Sequence, residues 1–296
     1  DLAVGTTTLT LGSGGLILGG TERWVSGTGG TINSGLASGK LYIHANAASF
    51  INGFQIQPKI VDGSASTAVI KDGSGQCEMG NGASTFSGGF YLNAGSVYLG
   101  ASSTGSGGAP SQGPLGTGTV TLNGGTLYPY GKNVGTTTSA GYTLANNINI
   151  PAGASATINN GGLNAVLSGN ISGVVPTFLG TGITALQGAN TYSGNTLITV
   201  GTLGIGNAAG VNNNLSTGAV IVTNGSTLRV GYAVTSNLNR SYTPNNITLA
   251  GTLYAEDAWQ YLTGDINVTS NSILGSTYNN AGGEQDKGLF ICGVRS

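Results

Sequence analysis

Apolar positions along this chain come in short alternating runs, commonly three to five residues long, fenced by Gly, Asn or Ser. Leu9-Thr10-Leu11, Leu16-Ile17-Leu18, Lys40-Leu41-Tyr42-Ile43, Phe54-Gln55-Ile56, Thr119-Val120-Thr121-Leu122, Ile148-Asn149-Ile150, Val220-Ile221-Val222 and Ile247-Thr248-Leu249 all have this form. β-Branched residues spaced by two and bounded by turn formers predict strands with one buried face. No segment of eleven or more residues holds apolar positions at helical spacing without several interrupting glycines, so no helix is predicted. Strands this short predict a chain that turns often.

The pattern recurs over long distances. Gly82 to Gly100 aligns without a gap on Gly188 to Gly206 at a spacing of 106 residues, and Gly82, Ala83, Thr85, Ser87, Gly88, Gly95 and Gly100 return identically. Leu92, Ala94, Val97 and Leu99 fall in register with Ile198, Val200, Leu203 and Ile205. The step of three at Gly95 or Gly201 breaks the two-residue period, which predicts two short strands joined at a glycine bend. Tyr91, Asn93 and Tyr98 are then expected to face outward. LGTGTV at Leu115–Val120 answers LSTGAV at Leu215–Val220, and Asn146-Asn147-Ile148 answers Asn245-Asn246-Ile247. A period of about one hundred residues exceeds one supersecondary unit, so each copy is expected to hold several coils.

The expected fold is therefore all-β, a parallel β-helix or solenoid built from imperfect repeats of about one hundred residues. Residues 1–296 form one elongated body, with a partial copy over about 1–74, copies over 75–177 and 178–280, and a terminal segment, 281–296. At about 22 residues per coil and about 4.8 Å per coil, the body would hold about thirteen coils and measure about 60 Å.

GANTYSGNTLITVGTLGIG, followed by LSTGAVIV and then Asn-Gly and Thr-Leu, resembles the autotransporter-associated β-strand repeat of passenger-type surface proteins. The likeness extends over most of residues 73 to 275, with Gly89-Phe90 standing where the second copy has Asn195-Thr196. It implies a right-handed β-helix exposed outside the cell, and no catalytic residues. A complete autotransporter ends in a membrane barrel, which nothing in this stretch could form.

Composition narrows the function. Only 6% of residues are charged and the net charge is −1, against about 25% charged in ordinary soluble proteins. So neutral a surface offers little repulsion between copies, and a homo-oligomer or polymer is expected. Nine scattered Lys and Arg make no basic stripe for nucleic acid. No apolar run approaches the roughly 20 residues of a membrane span, and Asp1-Leu2-Ala3 lacks the start of a signal peptide. Sequons at Asn170, Asn214, Asn224, Asn239, Asn246 and Asn267 are what a chain rich in Asn, Ser and Thr contains by chance.

Candidate chemistry is sparse. His44 is the only histidine, and no nucleophile-elbow pattern accompanies it. Of the acids Asp62, Asp72, Glu256, Asp257, Asp265, Glu284 and Asp286, the pair Glu256-Asp257 is the best for carbohydrate hydrolysis. Neighbours on a strand point to opposite faces, so the pair is poorly placed. No catalytic, cofactor-binding or metal site is expected. Tyr91, Tyr98, Tyr128, Tyr130, Trp24 and Trp259 could stack on cell-surface or matrix glycans, or pack against another subunit. Cys77 and Cys292 lie about ten coils apart at about 22 residues per coil, too far for a disulfide within one solenoid. The expected function is an extracellular, cell-surface structural protein forming a layer or fibre. A passenger-type adhesin segment and a carbohydrate-acting enzyme are the alternatives.

Overall fold

The computed structural model describes residues 2–19, 23–46, 54–131, 141–206, 215–232, 240–256, 259–277, 289–291 and 294–295. Every helix-or-strand element among them is a β-strand. The eight runs read from the sequence become Thr8–Leu11, Gly15–Leu18, Lys40–Ala45, Phe54–Ile56, Val120–Leu122, Ile148–Ile150, Val220–Val222 and Ile247–Leu249. Their apolar residues alternate inward because successive side chains of an extended chain point to opposite faces.

Strands adjacent in sequence do not pair, apart from the antiparallel hairpin Thr104–Ser106 and Ala109–Gln112. Each joins, in parallel, a strand from another pass of the chain. Leu2–Ala3, Arg23–Ser26 and Phe54–Ile56 fall in one sheet, Thr8–Leu11, Thr31–Ser34 and Lys59–Ile60 in a second, and Gly15–Leu18, Lys40–Ala45 and Ala68–Asp72 in a third. The first sheet grows to eight strands, ending at Thr177–Leu179, and the third to seven, ending at Ile171–Gly173. A further seven-stranded sheet runs from Thr143–Leu144 to Ile273–Thr277, and a five-stranded one from Thr196–Ile198 to Val294–Arg295. Partners lie 20 residues apart at Gln76 and Ser96 but 31 apart at Thr126 and Thr157. Insertions such as the hairpin are absorbed at the corners between strands.

In-register pairing builds the core as stacked rows. Val97 lies on Leu127, Leu127 on Ile158 and Ile158 on Phe178, and all four are buried. Burying each such side chain is worth about 1.5–3 kcal/mol. The corners cannot use this ladder, and buried asparagines serve them instead. Asn146 donates from Nδ2 to the carbonyls of Gly116 (3.1 Å) and Gly118 (2.8 Å). Asn245 donates in the same way to Ser216 and Gly218.

The two aligned segments agree in local structure. Phe90–Leu92 and Ser96–Leu99 match Thr196–Ile198 and Thr202–Ile205 strand for strand, and Leu92, Val97, Leu99, Ile198, Leu203 and Ile205 are all buried. Gly95 (φ 72°) and Gly201 (φ 67°) make the two bends. The segments do not, however, occupy the same sheet. Ser96–Leu99 belongs to the eight-stranded sheet, whereas Thr202–Ile205 belongs to the sheet that begins at Thr143–Leu144. The spacing of 106 residues is not a whole number of passes, so equivalent strands arrive on different sheets.

Gly95 bends in the left-handed region, and a Cβ there would sit 2.3 Å from the carbonyl oxygen of Gly75 and 2.5 Å from that of Gly73. Gly225 has a similar φ of 79° with nothing within 4 Å. Gly225→Ala should therefore cost roughly 1–2 kcal/mol of backbone strain alone. Gly95→Ala should cost more than about 3 kcal/mol, because backbone must also move. Urea denaturation of both variants measures the difference.

Candidate functional site

The outward side of the sheet containing Lys40–Ala45, Ala68–Asp72, Phe90–Leu92 and Val120–Leu122 holds Tyr91, one of the aromatic residues named from the sequence, together with Tyr42. Leu41, Ile43, Val69, Phe90 and Leu92 are buried beneath it. The residues between them form rows across the sheet. Tyr42 pairs with Ile70, Ile70 with Tyr91 and Tyr91 with Thr121. Beside this row, His44 pairs with Asp72, and Asn93 and Asn123 continue the line on the next two strands. Asn123 donates from Nδ2 to Asn93 Oδ1 at 2.7 Å. Lys40, Tyr42, Ile70, Tyr91, Asn93 and Asn123 line one depression of about 440 Å³. Tyr91 and Asn93 thus face outward as expected.

Tyr98, expected in the open, is buried at 5% exposure. Its ring stacks on Tyr128 at 4.2 Å and meets the edge of Tyr130 at 5.6 Å. In-register stacking placed an aromatic over an aromatic, and the pair covers itself. Burial raises the pKa of Tyr98 and Tyr130 above the phenol's usual 10.0, and neighbouring Tyr128 adds to both shifts. On the strand before Tyr98, Glu78 is also buried and accepts a hydrogen bond from Gln55 Nε2 at 2.7 Å.

The acids considered for catalysis are dispersed, and several hold structure together. Asp62 accepts from the backbone N–H groups of Thr67 (2.7 Å) and Ser87 (3.0 Å), and from the Ser87 hydroxyl. Asp72 Oδ1 meets His44 Nδ1 at 2.5 Å, with both side chains about two-fifths exposed. A pair so open to water is worth about 0–1 kcal/mol. Glu256 pairs with Arg229 at 2.5 Å, and the Arg229 guanidinium lies 5.8 Å from the centroid of the Tyr232 ring. Asp257, Glu284, Asp286, Cys292 and the Trp259 side chain lie outside the described residues. Among the described residues no group of three or more His, Cys, Asp or Glu could hold a metal ion.

Sequence reasoning missed Lys71. It occupies an inward position beside Ile43 and Leu92 and is 1% exposed. Its Nζ donates to the carbonyls of Asp72, Gly73 and Ala94, each at 2.9 Å. All three protons of the ammonium are used on corner backbone, which makes the burial tolerable. Desolvation lowers its pKa, opposed by the nearby Cys77 and Asp72. Cys77 is a free, buried thiol, pushed by burial from 9.0 up to about 12. The alternation Val69–Ile70–Lys71 does mark position 71 as inward, and a lysine there was the available signal.

Comparison of the chain with family models, curated proteins and solved structures finds no match. Function is therefore read from the molecule itself.

Lys71→Met should keep the packing and strand three corner carbonyls, lowering stability by about 1–3 kcal/mol in urea denaturation. Alkaline pH should destabilise the protein as well. Tyr98, Tyr130, Tyr142, Tyr192 and Cys77 have folded-state pKa values above their ordinary ones. Their stabilising contribution is complete below the unfolded values and lost as pH rises through the folded ones. Lys71, shifted down, acts in the opposite sense, but it is one group against five. Unfolding free energy should fall from the thiol's ordinary 9.0 upward, and the last part of the tyrosinate absorbance, from the buried phenols, should appear together with unfolding.

Proposed function

We propose that this protein is an extracellular structural protein whose right-handed β-solenoid, made of imperfect repeats of about one hundred residues, contributes to a surface layer or fibre. The observation that carries the reading is the parallel, in-register pairing, which extends over as many as eight strands. Side chain lies over side chain from Trp24 through Gln55, Glu78, Tyr98 and Tyr128 on one sheet, and from Tyr42 through Tyr91 and Thr121 to Asn149 on another. Such a body is stiff along its axis and presents long, nearly neutral rows of Thr, Asn and Tyr. Contact between copies then costs little electrostatic work. The matched duties of Asn146 and Asn245 support the repeat, and the resemblance to passenger-type repeats supports the location outside the cell.

The protein works by shape and contact rather than by catalysis. Asp62, Asp72 and Glu256 are committed to separate structural partners, so none is poised with a second acid across a substrate. A passenger-type adhesin segment is the second reading, favoured by the depression at Tyr42 and Tyr91.

Electron micrographs and sedimentation of the purified chain test the proposal. Rods that associate side by side or end to end as concentration rises are the expected result. Rods that stay single at every concentration would favour the adhesin segment, and compact round particles would overturn the solenoid.

A further inference from the structure

We infer that the outward face carrying Tyr42 and Tyr91 is a binding site for an extended, neutral polysaccharide of equatorially linked pyranose units. The inference rests on the reading of the protein as an extracellular contact body. Tyr42 and Tyr91 occupy the same row with Ile70 between them, so they stand two strand spacings apart, about 9.5 Å. In an equatorially linked glycan each sugar is turned over relative to the last, and the same apolar C–H face returns at every second unit. Two rings separated by two strands can each receive one such face, with Ile70 beneath the sugar between.

The rim supplies what the hydroxyl groups need. Asn93 and Asn123 are exposed carboxamides one strand apart, already joined to each other at 2.7 Å. A carboxamide both donates and accepts, as a sugar hydroxyl does. The ring of Tyr91 comes within 3.6 Å of the Cβ position of Gly89, so a larger residue there would crowd it. Asp72, hydrogen-bonded to His44 beside the row, and Lys40, which lines the depression, are opposite in sign. A neutral ligand suits that balance better than a polyanion. A second copy of this chain is a poorer occupant. The same row continues as Thr121, Asn149 and Ser172, so two copies meeting through this face would set small polar side chains against the depression.

Calorimetric titration of the full chain with cellohexaose, chitohexaose and an oligogalacturonate tests the site. A neutral hexasaccharide should bind with an affinity that survives added salt. Tyr42→Thr and Tyr91→Thr should each weaken it about tenfold. Threonine already continues this row at Thr121 and favours strands, so both variants should fold, with circular dichroism and thermal unfolding as the check. Tyr91→Phe should retain most binding, and Thr248→Ala, on a different sheet, all of it. Binding by no probe, binding indifferent to both Tyr→Thr changes, or binding of the uronate alone with loss in salt would overturn the assignment. Loss of self-association without loss of sugar binding in the Tyr→Thr variants would assign the face to contacts between copies. Rods in micrographs without sugar binding would sink this site and leave the solenoid standing.

Discussion

Parallel pairing in register is the constraint on which everything else here depends. It places each residue directly over its counterpart from another pass, so a row must be all apolar, all polar or self-satisfying. Val97, Leu127, Ile158 and Phe178 meet the condition by burial. Asn93 and Asn123 meet it by an amide-to-amide hydrogen bond, and Tyr98 and Tyr128 by stacking. Where a row must change character, the mismatch is resolved within one or two strands, as His44 does by pairing with Asp72.

The same constraint makes the corners the weak points of the design. Strands of three or four residues give a ladder that is interrupted often, and each interruption leaves backbone N–H and C=O groups in or near the core without strand partners. Buried amides fill the gap. Asn160 accepts from the N–H groups of Gly162 and Gly182 at 2.9 and 3.1 Å, Asn190 accepts from Ile171 N at 2.8 Å, and Lys71 supplies three donors at once. Leaving one such group unpaired costs about 1–3 kcal/mol, which is comparable with burying an aliphatic side chain. The low charge content of the chain has a structural counterpart here: neutral amides do the internal work that ions would do at greater desolvation cost.

The strands and their faces were legible in the sequence because period-two alternation is local. Every run quoted from the sequence became a strand, and Leu92, Val97, Leu99, Ile198, Leu203 and Ile205 were correctly assigned inward. What was not legible depends on distance. The burial of Tyr98 follows from Tyr128 lying over it, thirty residues later, and no local pattern announces that register. The placement of equivalent segments on different sheets follows from the lengths of intervening loops, which the gapless alignment does not contain. Lys71 was missed because its charge argues for the surface against the alternation that marks the position inward, and the Gly73 and Ala94 carbonyls that receive its protons are brought there by the fold.

Comparing the two aligned segments separates what folds the chain from what distinguishes its sheet faces. Inward positions stay buried even where the residue changes, as at Phe86 and Tyr192, Phe90 and Thr196, and Val97 and Leu203. Outward positions divide: exposed Thr85 and Ser87 return as exposed Thr191 and Ser193, whereas the strand faces that follow them change. Tyr91 corresponds to Leu197, Asn93 to Thr199, and Tyr98 to Gly204. The stacked pair of Tyr98 on Tyr128 becomes Gly204 beside Arg229, with Arg229 turned to Glu256 and Tyr232. Moreover, equivalent strands lie on different sheets, so even a faithful copy of Tyr91 at position 197 would not extend the row of Tyr42. The tyrosine and asparagine face is therefore a local feature of the first half of the chain, set by the side chains that its own register brings together and not by the pattern that the two segments share.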